Sequence, residues 1–345
     1  MRARAPVRPA GPPLPAAALC APHGNHSPNF CVYLFKLLVR HYLPMAISFR
    51  PPILVGILML LGQVSCPPSA PAAEAPPVDL VARGKYIFGA SGGCGCHTEP
   101  KKPLNSGGRK YDGPFGTVYS TNITPDRQTG IGDWTDEQII TAIRLGRRPN
   151  GERLVPVHPF LSFNAMAEGD LRALVAYLRS VPPVNRQNQP KKITVPLFES
   201  VFLPAWLAAF APREKPPAAA PASGVARGEY LVRAVAHCGE CHTPRTLTLT
   251  MDSARFLAGN PSGLIEGAEV PNITPDKDTG LTWSEEQIAD YLGTGNKPDG
   301  DVAGSLMAEV IQGTSAGYKD LTQADRTAIA RFLKGIPPVK QKIGK

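Results

Sequence analysis

The sequence predicts an all-α protein built from two tandem copies of one small helical domain. Three observations carry this: an internal repeat, a matched pair of helix-start signals, and an amphipathic closing segment in each copy with no alternating strand pattern of any length. The repeat opens with Ala82-Arg83-Gly84-Lys85-Tyr86, which returns as Ala226-Arg227-Gly228-Glu229-Tyr230. In register behind it, Cys96-His97-Thr98 matches Cys241-His242-Thr243, and Asn122-Ile123-Thr124-Pro125-Asp126 matches Asn272-Ile273-Thr274-Pro275-Asp276. Trp134 returns as Trp283, and Pro149-Asn150-Gly151 as Pro298-Asp299-Gly300. The ending Val181-Pro182-Pro183-Val184 returns as Ile336-Pro337-Pro338-Val339. The copies are expected to span residues 78–184 and 223–341, and a chain of 345 residues has room for two domains of roughly 100 to 200 residues.

Taken in chain order, residues 1–44 are rich in Arg, Pro and Ala and are expected to be a disordered upstream extension, with synthesis beginning at Met45. Residues 45–72 place Arg50, an apolar run from Ile53 to Leu61 and the small residues Ala70-Pro71-Ala72 in the order of a secretory signal peptide. The run falls well short of the ~20 residues of a comfortable membrane span, which favours export over a permanent anchor. Cys66 offers a second reading as a lipidated N-terminal cysteine, against which Gln63 stands where an apolar residue is expected. Within the copies, Thr135-Asp136-Glu137-Gln138 and Ser284-Glu285-Glu286-Gln287 each fit a capping box, so a helix is expected to begin at both. Leu171, Leu174, Val175 and Leu178 share a helical face, as do Ile329, Phe332 and Leu333, and Pro182 and Pro337 prevent those helices from continuing. Residues 185–222 are read as a linker. It holds an apolar patch over 198–210, then a Pro/Ala-rich spacer that is semi-rigid by composition. The patch is expected chiefly to pack against the copies, with peripheral contact to a membrane or a partner subunit as the alternative.

Composition narrows the function classes. The formal charge is +9, but six of the 37 basic residues lie in the first 65 positions, which hold no acid, leaving 31 against 28 for the rest. A balance of +3 there gives no basic footprint for nucleic acid. The 38 prolines and 33 glycines suit loop-rich domains, and long loops usually organise around a ligand.

Cysteine and histidine identify that ligand. Cys238-Gly239-Glu240-Cys241-His242 has the C-x-x-C-H spacing of c-type haem attachment. Two thiols on one short turn reach the two vinyl groups of a haem, and the adjacent imidazole lands beneath the iron. Zinc is the weaker reading, since a tetrahedral site needs further ligands and no second pair is near in sequence. A disulfide between Cys238 and Cys241 is equally disfavoured. The first copy reads Gly93-Cys94-Gly95-Cys96-His97, one residue shorter between its cysteines. Haem is still expected there because Cys96-His97 keeps its register; either Cys94 bonds through a strained turn or the haem hangs from Cys96 alone. The reading in which this copy has lost its haem stays open beside it. For the sixth iron ligand, the offset between copies is 149 from Trp134 to Gly151, and extending it sets His158 opposite Met307. These are the two common axial partners of haem iron. Core packing is the competing role for Met307, and an exposed position for His158. Met166 is a substitute candidate but aligns with apolar Leu321, and His237 is expected to be a surface or supporting residue.

The stretch Ser120-Thr121-Asn122-Ile123-Thr124-Pro125-Asp126, the Cys-x-x-Cys-His turn, Met307-Ala308-Glu309-Val310 and the Pro-Pro-Val endings resemble the multihaem cytochrome c subunits of bacterial periplasmic dehydrogenases. These include subunits of membrane-bound alcohol and gluconate dehydrogenases and of molybdenum hydroxylases acting on N-heterocycles. The likeness covers nearly all of residues 78–341. It implies an all-α fold of two tandem class I cytochrome c domains joined by the Pro/Ala-rich linker, each a small helical bundle around its haem. Many relatives carry three such domains and a methionine in a Pro-x-Met-Pro loop; here there are two domains, and His158 occupies that loop.

The sequence therefore predicts an exported dihaem cytochrome c with two covalently bound haem c groups. Cys94, Cys96, Cys238 and Cys241 are the attachment candidates; His97 with His158, and His242 with Met307, are the iron ligands. Its expected role is to relay single electrons in the periplasm, at or near the inner membrane. The donor would be the catalytic subunit of a periplasmic dehydrogenase, and the acceptor a quinone, soluble cytochrome or oxidase of the respiratory chain. No catalytic acid, base or nucleophile is required. The rivals are a dihaem enzyme of thiosulfate dehydrogenase or peroxidase type, with one displaceable axial ligand, and a haem-based sensor module.

Overall fold

Asp79 begins the first helix by accepting the Val81 and Ala82 amides at 3.0 Å each, satisfying two donors that a first turn leaves without partners. The structure, a computed structural model, describes residues 79–93, 95–211, 215–265 and 268–343. The expected extension at 1–44, the leader at 45–72, Cys66 and Cys94 lie outside them. In the first repeat the helices are α1 (Leu80–Ala90), α2 (Asp136–Leu145), the short α3 (Phe160–Phe163) and α4 (Glu168–Ser180). Helix α5 (Leu203–Phe210) follows in the connecting segment. The second repeat has α6 (Gly224–Tyr230), which continues as a π-helical turn over Leu231–Val235, then α7 (Gly239–His242), α8 (Glu285–Thr294), α9 (Ser305–Gln312) and α10 (Gln323–Gly335).

Both capping boxes form. The Gln138 amide donates to Thr135 Oγ1 at 3.2 Å while Thr135 N donates back to Gln138 Oε1 at 2.9 Å. Ser284 and Gln287 repeat the pair at 3.2 and 2.9 Å, starting α8. The closing helices α4 and α10 bury the faces the sequence marks: Leu171, Leu174, Val175 and Leu178 in one, Ile329, Phe332 and Leu333 in the other. In each repeat the first helix crosses the last at the recurring glycine. A Cβ on Gly84 would meet the Ala173 carbonyl oxygen at 1.9 Å, and one on Gly228 the Ala328 carbonyl oxygen at the same distance.

The all-α expectation needs one correction, because short strands are present. β1 (Lys110–Gly113) and β2 (Gly116–Tyr119) form a hairpin, β3 (Lys192–Ile193) adds to its edge, and β4 (Asn260–Ile265) pairs with β5 (Ala268–Val270). All pairings are antiparallel. Strands this short, with no residue of β1 or β2 fully buried, have no buried face to impose an alternating pattern, so nothing in the sequence announces them.

The described residues form one compact unit, and its buried core draws Ile87, Phe88 and Leu171 from the first repeat and Leu231, Val235 and Ile311 from the second. The repeats also exchange polar contacts. Asp170 accepts from Arg83 Nε of its own repeat at 3.0 Å and from the Tyr230 hydroxyl of the other at 2.8 Å. Asp325 does the same with Arg227 Nε at 3.0 Å and the Tyr86 hydroxyl at 2.6 Å. The Arg-Gly-x-Tyr motif of each copy thus pairs its arginine at home and its tyrosine across the boundary. Burial works to raise the Asp325 pKa, but the bonds from Arg227 and Tyr86 outweigh it and hold the carboxyl below its ordinary range.

The apolar patch at 198–210 is only partly packed. Leu203 is buried and Trp206 Nε1 donates to the Thr248 carbonyl at 2.6 Å, whereas Val201, Phe202 and Phe210 are exposed. Among the described residues, no helix is long and apolar enough to cross a membrane.

Candidate haem sites

In the second repeat, α7 is a single helical turn in which the Cys241 and His242 amides both donate to the Cys238 carbonyl, at 3.3 and 2.9 Å. Residues three apart on such a turn are neighbours, so the two thiols lie on one side of it. Cys238 and Cys241 are partly buried and not joined in a disulfide. Burial pushes Cys238 up to about 11 and, with Cys96 nearby, Cys241 up to about 12, so both are protonated at neutral pH. The His242 ring directs Nδ1 to the Pro271 carbonyl at 2.8 Å, which leaves Nε2 free.

The first repeat reproduces this arrangement at its histidine. His97 directs Nδ1 to the Thr121 carbonyl at 2.7 Å. Thr121 and Pro271 each stand one residue before the recurring Asn-Ile-Thr-Pro-Asp stretch, so one register position orients both imidazoles. A hydrogen bond to the outer ring nitrogen fixes tautomer and orientation and strengthens the other nitrogen as a ligand. The asparagine itself clamps the end of its repeat: Asn122 Nδ2 donates to the Val184 carbonyl at 2.7 Å and Asn272 Nδ2 to Val339 at 2.8 Å. Sequence reasoning matched these motifs but missed the carbonyls before them, because a backbone oxygen has no letter of its own. Around the missing residue, the turn at Gly95–His97 is 3₁₀ rather than α-helical, and Cys96 is exposed on it.

His158 packs against aromatic rings, its centroid 6.3 Å from Phe160 and 5.6 Å from Phe163. Burial first, and then the charge His97 would carry, lower the His158 pKa to about 3, so its ring is neutral at physiological pH. Its Nε2 faces the Ile143 carbonyl at 3.3 Å. Burial lowers His97 and His242 as well. Met307 sits on α9, partly buried against the core that Cys238 also touches. Met166 is fully buried, as its alignment with buried Leu321 implies. His237 is part-buried: its ring meets Phe163 edge-on at 5.0 Å and its Nδ1 approaches the Val235 carbonyl at 3.0 Å.

Paired thiols on one turn, next to an imidazole anchored through Nδ1, fit the covalent haem of a c-type cytochrome. Comparison with known proteins agrees. A dihaem c-type cytochrome of Cereibacter sphaeroides is 37% identical over 274 residues, covering 75% of this chain and 86% of the relative. The cytochrome c subunit of gluconate 2-dehydrogenase from Pantoea cypripedii is 37% identical over 266 residues, and the cytochrome c subunit of a quinone alcohol dehydrogenase from Gluconobacter oxydans is 37% identical over 281. The matches cover 59% and 58% of those two subunits, so the chain spans little more than half of their length. No family model matches the chain. The chain belongs to the dihaem c-type cytochromes, which carry two covalently bound haem c groups and transfer electrons.

Proposed function

We propose that this chain is exported through the leader at 45–72 and relays single electrons from the catalytic subunit of a periplasmic dehydrogenase to a quinone, soluble cytochrome or oxidase of the respiratory chain. Its two domains occupy residues 78–184 and 223–341, with 185–222 between them. The haem iron supplies the one-electron couple. The protein's share is to hold each group, orient its axial ligands and keep water from it. Cys238 and Cys241 would attach one haem, with His242 and Met307 as the residues that would hold its iron. Cys96, with or without Cys94, attaches the other, with His97 and His158. The exposed Val201, Phe202 and Phe210 are the surface through which the chain would rest against the inner membrane.

The relay reading is supported by His158, which is neutral at physiological pH and electrostatically coupled to His97: if both imidazoles hold the first iron, no position would remain there for substrate. The turn of His158 Nε2 toward Ile143 favours a second reading, a dihaem enzyme of thiosulfate dehydrogenase or peroxidase type whose sixth ligand is displaced. To separate them, the reduced protein is offered a soluble cytochrome, and thiosulfate or hydrogen peroxide in separate trials. Fast oxidation by the cytochrome without sustained turnover of either small molecule is expected. Sustained turnover that His158→Ala abolishes or strongly alters would move the protein to the enzyme class.

A further inference from the structure

Beyond the axial ligands, the two repeats hold one another's attachment turns. Thr314, in the loop after α9, donates its hydroxyl to the carbonyl of Gly93, the residue before Cys94. That approach is close enough for a Cβ on Gly93 (φ +60°) to fall 1.9 Å from the Ala316 carbonyl oxygen. On the other side of the same turn, Arg109 donates to the Gly95 carbonyl at 3.3 Å and pairs with Glu309 of α9 at 2.6 Å. In the reverse direction Ser162, on α3 and four residues past His158, donates to Glu240 at 2.6 Å. Glu240 stands between Cys238 and Cys241, and Arg245 holds its other oxygen at 2.7 Å. The segment following each sixth-ligand candidate therefore grips the turn that carries the other repeat's haem.

We propose that Thr314 and Ser162 are positioning residues acting across the repeat boundary, each fixing the attachment turn of the opposite repeat so that one haem's reduction potential depends on a side chain of the other repeat. The inference rests on the two-haem relay reading. Haem potentials respond to hydrogen bonds, burial and distortion around the macrocycle. A donor placed on a carbonyl or carboxylate of the attachment turn sets the local dipole and the position of the turn together, in surroundings where such bonds are weakly screened. Neither hydroxyl touches a ligand of the haem it would influence, so the effect runs through the turn.

The test uses the full chain matured with both haems, titrated by potential with the steps resolved spectrally and assigned by their response to Met307→His. Thr314→Val removes a neutral donor without changing shape and is expected to displace the first haem's step while leaving the second in place. Ser162→Ala is expected to do the converse, and Thr314→Ser and Ser162→Thr, which keep the hydroxyl, to restore each wild-type step. The two arms are independent, so a variant that fails to mature leaves the other arm to decide. Titrations that superimpose on the wild type overturn the proposal, as do steps that move only within the mutated repeat or that the conservative variants fail to restore. A wild-type chain that matures with one haem overturns the relay reading along with it, whereas two haems with unmoved potentials overturn this inference alone.

Discussion

His97 and His242 are held alike, each by a backbone carbonyl on Nδ1, so the difference between the haem sites has to come from the residues around them. One proposed difference is the sixth ligand, His158 for the first haem and Met307 for the second. Thioether sulfur is a weaker donor to ferric iron than imidazole and leaves the ferrous state relatively favoured, so the His242/Met307 site should be the higher of two separated redox steps. Met307→His is expected to lower the upper step and leave the lower one, and two methionine-type near-infrared bands in the oxidised wild type would show that His158 does not ligate. The other difference is attachment. Cys94→Ala is expected to retain both haems by intact mass if Cys96 suffices, and Cys96→Ala to lose the first; loss of haem from Cys94→Ala would show instead that the shortened turn bonds through both cysteines. In the sequence, fixed spacing singles out Cys238, Cys241 and His242, and the repeat offset singles out His158 as the proposed sixth ligand. What stayed hidden is geometric, such as the Ile143 carbonyl that engages the same ring, contributed by a residue 15 positions upstream of it.

Helix starts were readable because a capping box is a local transaction among four consecutive residues, complete before any tertiary contact forms. Thr135→Ala and Ser284→Ala should each cost about 1 kcal/mol, within a usual range of about 0.5–2 kcal/mol, measured as a lowered denaturant midpoint with unchanged slope. Gly84→Ala and Gly228→Ala are expected to be worse, since the added methyl meets backbone that has no rotamer to relieve it. Wild-type stability in either would refute the crossing geometry. The closing helices were equally legible, because an apolar face repeating every three to four residues is written along the segment itself. The hairpins were not. β1 and β2 pair residues on both sides of a two-residue turn with neither strand face buried, and β3 joins from more than 70 residues further on in the sequence, so their partners are specified by tertiary context.

At the scale of the molecule, the repeats are joined by a core common to both and by two carboxylates, each bound by an arginine of its own repeat and a tyrosine of the other. Asp325 is nearly buried, and breaking a buried pair by removing one partner leaves a desolvated charge behind, so Asp325→Ala should destabilise the protein by about 3–5 kcal/mol. The pH dependence has a definite sign. The folded pKa of Asp325 is depressed below its unfolded value, near 4, so its stabilisation is complete above that value and is lost as pH falls through the lower folded one. An Asp325→Asn variant should lose stability at neutral pH and converge on the wild type in acid. Because each carboxylate is bound from both sides of the boundary, opening either repeat exposes polar groups belonging to the other, and both should unfold together. Denaturation followed separately at the absorbance of each haem is therefore expected to give coincident transitions in the wild type. Tyr86→Phe and Tyr230→Phe remove only the crossing bonds, each about 1.5–3 kcal/mol for a hydroxyl donating to a charged acceptor. The double variant should lower both midpoints and draw the two transitions apart. Wild-type transitions that are already separate would mean that the tyrosines decorate the boundary without coupling what lies on either side of it.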